Sequence, residues 1–433
     1  MAFLQQLQQI PNSYLVIDGI DGSGTQSYQQ LLLSAKQIRQ QYPQLCGQAV
    51  SVRFTHLAEF ISALVAFDGW CSTLYLQPDT DLPLPENVYQ WPDSDTAMFS
   101  SMPAVVTEQE EIATRWYLAT SGTTGTPKWI AHSFVGLSQA IRCKPTQQPL
   151  RWGLCYQPYR FAGLQVLLQS VLSGACLVDV SQGDASARMH ALQHCQVNAL
   201  SATPSLWRQL LMTNQLSSVP LQQLTLGGEI ADQPLLTQLH LLFPTARLLH
   251  IYASTEAGIG FAVSDGQAGF PAAWLNQPRS QVQLRINAEQ HLCIKPSVMP
   301  LEQSMIPVDQ QGFIDTMDVV ELREERVLFL GRASGAINVG GNKVHPEQVE
   351  QVLLQHDAIL QARVYGKASS VLGQLVVAEL VAAPNTDSKI LQADLMQLCA
   401  QQLQRYQIPT RYHWVRELSN SNTGKLSRKE SNV

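Results

Sequence analysis

Nine residues carry the densest chemistry in the chain: Thr120-Ser121-Gly122-Thr123-Thr124-Gly125-Thr126-Pro127-Lys128, directly after the apolar Trp116–Ala119. Small hydroxyl side chains and glycines supply O–H and N–H donors on a pliable backbone, and Lys128 adds charge, so the loop suits a polyphosphate. Pro127 before the lysine separates it from the Gly-x-x-x-x-Gly-Lys arrangement. Taken alone, the stretch also fits a flexible surface loop. A second feature is Gly227-Gly228 after the strand-like Thr225-Leu226. Glycines there let a flat ring approach the backbone, although the pair by itself only marks a turn.

Ser-Gly-Thr-Thr-Gly-x-Pro-Lys resembles the signature loop of the adenylate-forming superfamily, which includes acyl-CoA synthetases, peptide-synthetase adenylation domains and luciferases. Further segments resemble the same family in the same order. Thr225-Leu226-Gly227-Gly228-Glu229-Ile230 is similar to the turn that meets adenine and the acyl group, which implies roles for Gly227, Gly228 and Glu229. His250-Ile251-Tyr252-Ala253-Ser254-Thr255-Glu256 is similar to the Tyr-Gly-x-Thr-Glu element. The match implies that Tyr252 stacks on adenine, Thr255 contacts the α-phosphate and Glu256 ligates Mg2+, a hard cation that prefers carboxylate and phosphate oxygens. Asp318 corresponds to the ribose-holding aspartate, with Met317 where glycine is usual and Asp315 as the competing candidate. Gly331-Arg332 matches the family's Gly-Arg, so Arg332 is expected at ribose or phosphate. Asn422-Thr423-Gly424-Lys425-Leu426-Ser427-Arg428 resembles the tail that carries the catalytic lysine, which makes Lys425 the group expected to bridge the attacking carboxylate and the α-phosphate.

The acid pocket departs from the family. Gln157-Pro158-Tyr159-Arg160-Phe161-Ala162-Gly163 stands where Pro-x-Phe-His-x-x-Gly is usual, so Arg160 replaces a histidine. Arg160 is read as facing a polar or anionic group, or as pairing with a structural carboxylate. The expected pocket wall is Tyr159, Arg160, Gly163, Leu164, Gly227, Gly228, Ala253 and Ser254, with Ala253 in a glycine's place making the pocket shallower. No aspartate stands nearby to hold a substrate ammonium, which argues against an α-amino acid. Asp18-Gly19-Ile20-Asp21-Gly22-Ser23-Gly24-Thr25 superficially resembles the phosphate loop of nucleotide monophosphate kinases. Thr25 stands where the phosphate-binding lysine is needed, and a polar turn suffices.

Elements to position these groups are legible. Strand-like runs near Tyr14–Ile17, Val50–Phe54, Leu172–Val180 and Leu221–Leu226 precede helical patterns near Tyr28–Gln40, Leu57–Asp68, Ala185–His194 and Gln233–Leu242. The alternation predicts α/β architecture with βαβ units and largely parallel sheet. Past Arg332 the pattern changes to strand Ala336–Val339, helix from Pro346, strands Ile359–Tyr365 and Gln374–Val381, and helix Leu391–Tyr406. We expect a large AMP-binding N-terminal domain over residues 1–333 and a small, mobile α+β domain over residues 334–433. Ser334 fills the hinge position and Gly340-Gly341, in Gly340-Gly341-Asn342-Lys343-Val344-His345-Pro346-Glu347, the place of the pair that lines the thiol's path in acyl- and aryl-CoA ligases.

The bulk composition fits. The chain has 433 residues, a formal net charge of −6 and 45% hydrophobic residues. That is large enough for two domains and too acidic for a general nucleic-acid binder. Eight cysteines occur without a Cys-x-x-Cys pair, as small buried hydrophobes do. With no signal-like start and no apolar run of spanning length, a cytoplasmic location and no membrane span are expected. The resemblance implies ATP-dependent activation of a small carboxylic acid, aromatic or medium-sized, as acyl-AMP. Transfer to coenzyme A is expected, with the phosphopantetheine arm of an acyl carrier protein as the alternative acceptor. An o-succinylbenzoate–CoA ligase and a non-catalytic nucleotide- or carrier-binding relative are the other readings.

Overall fold

The computed structural model describes residues 2–19, 25–78, 82–92, 112–120, 128–141, 149–277, 282–299, 301, 307–419 and 425–426. Of the expected site residues, Ser121, Gly122, Thr123, Thr124 and Gly125 lie outside this set, as do Ile20–Gly24 of the kinase-like stretch.

The alternation of apolar strands and amphipathic helices builds two mostly parallel sheets. One has eight strands, six of which run parallel from Arg247–Ser254 at one side through Gln223–Gly227, Ala199–Ala202, Arg151–Leu154 and Cys176–Asp179 to Leu15–Ile17. Gly258–Val263 and Gln26–Ser27 close its edges in antiparallel fashion. The other has five strands and includes Ala49–Arg53, Thr73–Gln77, Arg115–Ala119 and the antiparallel edge Trp129–Ser133. Both faces of such sheets need apolar cover. The helix Leu57–Phe67 supplies it with nine buried residues, Leu57 and the unbroken run from Phe60 to Phe67. The helix Phe161–Leu172 does the same on the larger sheet.

Helix starts follow local capping chemistry. Ser27 caps Tyr28–Gln41 in a reciprocal capping box with Gln30, and Asp232 caps Gln233–Leu242. In each case a side-chain oxygen accepts an N–H that the first helical turn leaves without an internal partner. The run Leu172–Val180, read as one strand, divides instead. Leu172 ends a helix, Gly174 turns at φ +74°, and the strand is Cys176–Asp179. A Gly in the left-handed region makes this tight reversal at little steric cost.

Residues 270–332 form a five-stranded antiparallel sheet that the βαβ reading did not separate. After it, Ile337–Val339, Asn342–Val344, Ile359–Ser369, Gly373–Ala382 and Arg411–Trp414 form a last sheet covered by the helices Pro346–Leu353 and Ser388–Gln402. Its apolar core runs from Ile337 to Leu403 and draws only on this segment. The architecture is a large α/β domain followed by a small α+β domain. Among the described residues no helix is long and apolar enough to cross a membrane. Of the described cysteines all are buried except Cys46, which is half-buried.

Within the small domain Arg363 is fully buried and pairs with Glu379 on the neighbouring strand. Removing one partner strands a charge in an apolar interior, which costs about 3–5 kcal/mol. Glu379→Ala is therefore expected to lower unfolding stability by that order in denaturant melts, with the loss seen in probes of the C-terminal domain. A second prediction concerns His132 on the strand leaving the Thr120–Lys128 loop. Burial pushes its pKa down to about 4, against a weaker upward pull from a hydrogen bond to the Thr255 backbone. The unfolded chain binds this proton near pH 6.5 and the folded chain near 4, so stability present above pH 6.5 is lost as pH falls through that window. The loss amounts to about 3 kcal/mol. His132→Gln should flatten this part of a stability-versus-pH series measured by urea unfolding.

Candidate active site

The carboxyl ends of the parallel strands open into a large cavity, the usual place for ligands in open α/β sheets. Its floor is built from the ends of Gln223–Gly227 and Arg247–Ser254. Gly228 turns out of the first strand at φ +83°. A Cβ built there would meet Lys425 Cε at 3.4 Å and Thr203 Cγ2 at 3.7 Å. The lysine's aliphatic chain thus passes within van der Waals contact of the glycine, and the positive φ is what disfavours a side chain here. The second strand ends in the hairpin turn Thr255-Glu256-Ala257, and the Ser254 hydroxyl accepts the Ala257 N–H at 3.0 Å to hold the turn. Thr255 and Glu256 both line the cavity, as do Ala253 and Gly227. Glu256 therefore sits in a turn between strands and not at a helix start.

Lys425 is tied to Glu229 through the backbone beside it. Its neighbour Leu426 donates its N–H to Glu229 Oε1 at 2.5 Å, and the Ser205 N–H reaches Glu229 Oε2 at 2.9 Å. Burial lowers the Lys425 pKa below the ordinary lysine value, while Glu229, Asp318 and Glu256 pull it back up and Arg332 adds to the lowering. An amine held in a cavity among carboxylates is suited to meet an anionic phosphate.

On the opposite wall, Tyr252 lies near-parallel to Phe261 and Phe329, with ring centroids 5.3 and 5.2 Å away. Its hydroxyl donates to Asp318 Oδ2, and Arg332 Nε donates to Asp318 Oδ1 at 3.0 Å. Asp318 and Arg332 are direct cross-strand partners. The register is set one residue earlier. Met317 stands at φ +59° in the left-handed region, and its N–H is held by Asp315 Oδ1 at 2.8 Å. A glycine meets this conformation without strain, and methionine does so only because the surrounding turn enforces it. Asp315 spends its other oxygen on His291 Nδ1 at 3.0 Å and Asn287 Nδ2 at 3.2 Å. Of the two candidate aspartates, Asp318 is the one bonded to Tyr252 and Arg332.

The root of the Thr120–Lys128 loop is closed by mutual bonds. The Thr120 N–H donates to the Lys128 carbonyl at 2.9 Å, and the Lys128 N–H donates to Thr120 Oγ1 at 3.0 Å. Arg160 donates to the carbonyls of Ala119 at 3.4 Å and Thr120 at 3.1 Å. Arg160, expected to face an anion or to pair with a carboxylate, lines the cavity and also straps down the entry to this loop through backbone oxygens. Its neighbours also depart from expectation. Tyr159 is buried against Phe54, ring centroids 6.3 Å apart, and Leu164 is fully buried. Gly163 packs so closely on Gln157 that a Cβ would lie 2.1 Å from its carbonyl oxygen. None of these three is among the residues lining the cavity; Tyr156, Phe161, Ala162 and Val166 are. Tyr159, the aromatic aligned with the family motif, precedes the helix Phe161–Leu172 and is buried in the core.

Ser334 sits in a single 3₁₀ turn, Ala333–Gly335, between the two domains and lines the cavity. Gly340 and Gly341 form the two-residue turn of the hairpin Ile337–Val339/Asn342–Val344, at φ +56° and +89°. They are exposed and do not line the cavity that holds Lys425. Phe261, Phe329, Tyr156 and Trp152 join the cavity without having been expected. Trp152, Phe261 and Phe329 come from three separate strands, and Tyr156 directly precedes the Gln157–Gly163 stretch.

Among the described residues no cluster of three or more His, Cys, Asp or Glu could hold a metal ion by itself. A site of one carboxylate, Glu256, beside a polyphosphate fits Mg2+, which keeps several waters and is commonly bound by one or two carboxylates and substrate phosphates.

Comparison with known proteins points the same way. Residues 60–291 match the AMP-binding enzyme family and residues 348–425 match the AMP-binding enzyme C-terminal domain. The 2-succinylbenzoate–CoA ligase of Bacillus subtilis (strain 168) is 26% identical over 369 residues, covering 80% of this chain and 74% of the relative. That of Bacillus mycoides (strain KBAB4) is 28% identical over 344 residues, covering 72% and 68%. Among solved structures, the o-succinylbenzoate CoA synthetase of Bacillus subtilis in complex with its acyl-adenylate intermediate superposes with a TM-score of 0.70 at 20% identity, covering 98% of this chain and 96% of that one. An anthranilate CoA ligase in complex with anthranoyl-AMP gives 0.77 at 16%, covering 98% and 95%. The fold, the order of the motifs and the extent of the family match together show that this chain belongs to the AMP-binding enzyme family.

Proposed function

We propose that the protein is an ATP-dependent acid–coenzyme A ligase that activates a small aromatic carboxylic acid, with 2-succinylbenzoate as the first candidate. The observation that carries this reading is the seating of Lys425 over Gly228, in one cavity with Thr255, Glu256, Asp318 and Arg332. The names of the relatives supply the substrate class. The cavity walls Leu150, Trp152, Phe161 and Val166 suit an aryl group.

In the first step a carboxylate oxygen attacks the α-phosphorus of ATP and pyrophosphate leaves. Both reactants are anionic, so the barrier is largely electrostatic. Lys425 offsets the repulsion at the developing charge, and Thr255 orients the α-phosphate. Bound Mg2+ supplies further neutralisation of phosphate charge, and Glu256 is the residue that would hold it. The aromatic platform of Tyr252 receives adenine, and Asp318 with Arg332 receives the ribose. Lys128 and the hydroxyls of Ser121, Thr123 and Thr124, with Gly122 and Gly125, hold the β- and γ-phosphates.

In the second step the thiol sulfur of coenzyme A attacks the acyl carbon, its proton passes to solvent and AMP leaves. We infer that residues 334–433 turn about Ser334 as a lid, withdrawing Lys425 and bringing the Gly340-Gly341 turn to the acyl-AMP. The seated Lys425 and the remote glycine turn support a two-position lid.

Purified protein incubated with magnesium and ATP should release pyrophosphate with 2-succinylbenzoate and related aryl acids, and intact-mass analysis should find the matching acyl-AMP. Adding coenzyme A should convert it to the thioester faster than adding a phosphopantetheinylated carrier protein does. Silence with every acid would remove the ligase reading, and a preference for the carrier protein would move the acceptor.

A further inference from the structure

Glu229 follows the glycine pair, and its side chain is used in an unexpected way. One carboxylate oxygen accepts the Ser205 N–H at 2.9 Å, and the other accepts the Leu426 N–H at 2.5 Å across 197 residues of sequence. Ser205 lies in the first turn of the helix Pro204–Met212, whose cap residue Thr203 takes the Leu206 N–H at 3.1 Å. The Ser205 N–H is one of the donors that a helix start leaves without an internal partner, so this half of Glu229 is anchored in the large domain. The other half grips the backbone immediately beside Lys425.

We propose that Glu229 is the latch that positions Lys425 for the first half-reaction, holding the C-terminal tail in the large domain and releasing it before the thiol step. The inference rests on the ligase reading above and deepens it. Each oxygen of Glu229 accepts one backbone N–H, so the carboxylate ties the Leu426 backbone to the start of the helix Pro204–Met212. Hydrogen bonds to an ionised acceptor are the strong ones, and one such bond lost from a single conformational state shifts that state by about 10- to 100-fold. The two ends are unequal in kind. The Ser205 end is local to a rigid helix, whereas the Leu426 end joins two domains and is the bond that lid rotation must break. Glu229 also makes the first of the attractions that oppose the cost of burying the Lys425 charge. The latch therefore favours the tail position and the charged lysine together.

The test separates the half-reactions in Glu229→Ala and Glu229→Gln. ATP–pyrophosphate exchange reports the first step, and thioester formation from supplied acyl-AMP and coenzyme A reports the second. Glu229→Ala should lower kcat of exchange about 10- to 100-fold with KM for ATP little changed, while the second half-reaction falls far less and serves as the fold control. Glu229→Gln, which keeps a carbonyl acceptor, should fall between the alanine variant and wild type. Equal loss in both half-reactions, or a rise in KM with kcat intact, would overturn the latch. Hydrogen exchange of the Leu426 amide gives a readout independent of substrate: slow in wild type and fast in Glu229→Ala supports the proposal, and equal protection overturns it. Wild-type protein silent in exchange with every acid would overturn the parent reading instead, leaving the amide-exchange result to decide the latch.

Discussion

A half-buried lysine ammonium is the constraint around which this site is arranged. Withdrawing a charge from water is costly, and the field of nearby carboxylates offsets that cost. Glu229, Asp318 and Glu256 supply that field, and Arg332 limits it. Their positions come from unrelated elements: the turn after one parallel strand, the hairpin after the next, and a bulged strand in the antiparallel sheet. The parallel sheet aligns the first two at its carboxyl edge. The left-handed turn at Met317 delivers the third.

The same constraint links the domains. Lys425 lines the cavity, and the Leu426 N–H beside it donates to Glu229 of the large domain. Gln351 of the small domain adds a bond to the Phe329 carbonyl at 3.2 Å, close to the aromatic platform. The apolar core of the small domain is separate from the main cores of the large one. The exposed Gly340-Gly341 turn belongs to the small domain.

Much of this was legible in sequence because the family's spaced elements encode backbone needs. Gly228 and the Gly340-Gly341 turn occupy positive φ where a Cβ is disfavoured, and the helices at Ala185–His194 and Gln233–Leu242 fall where cap and periodicity place them. The acid pocket was less legible. Tyr159 aligned with a pocket aromatic yet is buried in the core, and burial of one side chain depends on packing that alignment does not convey. The bonds from Arg160 to the Ala119 and Thr120 carbonyls were not legible, because backbone carbonyls carry no residue-type signal. The antiparallel sheet over 270–332 was missed for a similar reason: its strands are irregular in alternation and interrupted by bulges. Glu229 gave no warning of its role, since its partners are also backbone N–H groups.

The central claim is that Lys425 serves acid activation and leaves before thioester formation. Single-turnover kinetics of Lys425→Ala test it most directly. The account predicts acyl-AMP formation slowed by about 10²- to 10³-fold, the range for losing one preorganised electrostatic group, while supplied acyl-AMP still reacts with coenzyme A at a rate close to wild type. Equal loss in both steps, or an unchanged rate of acyl-AMP formation, would contradict it.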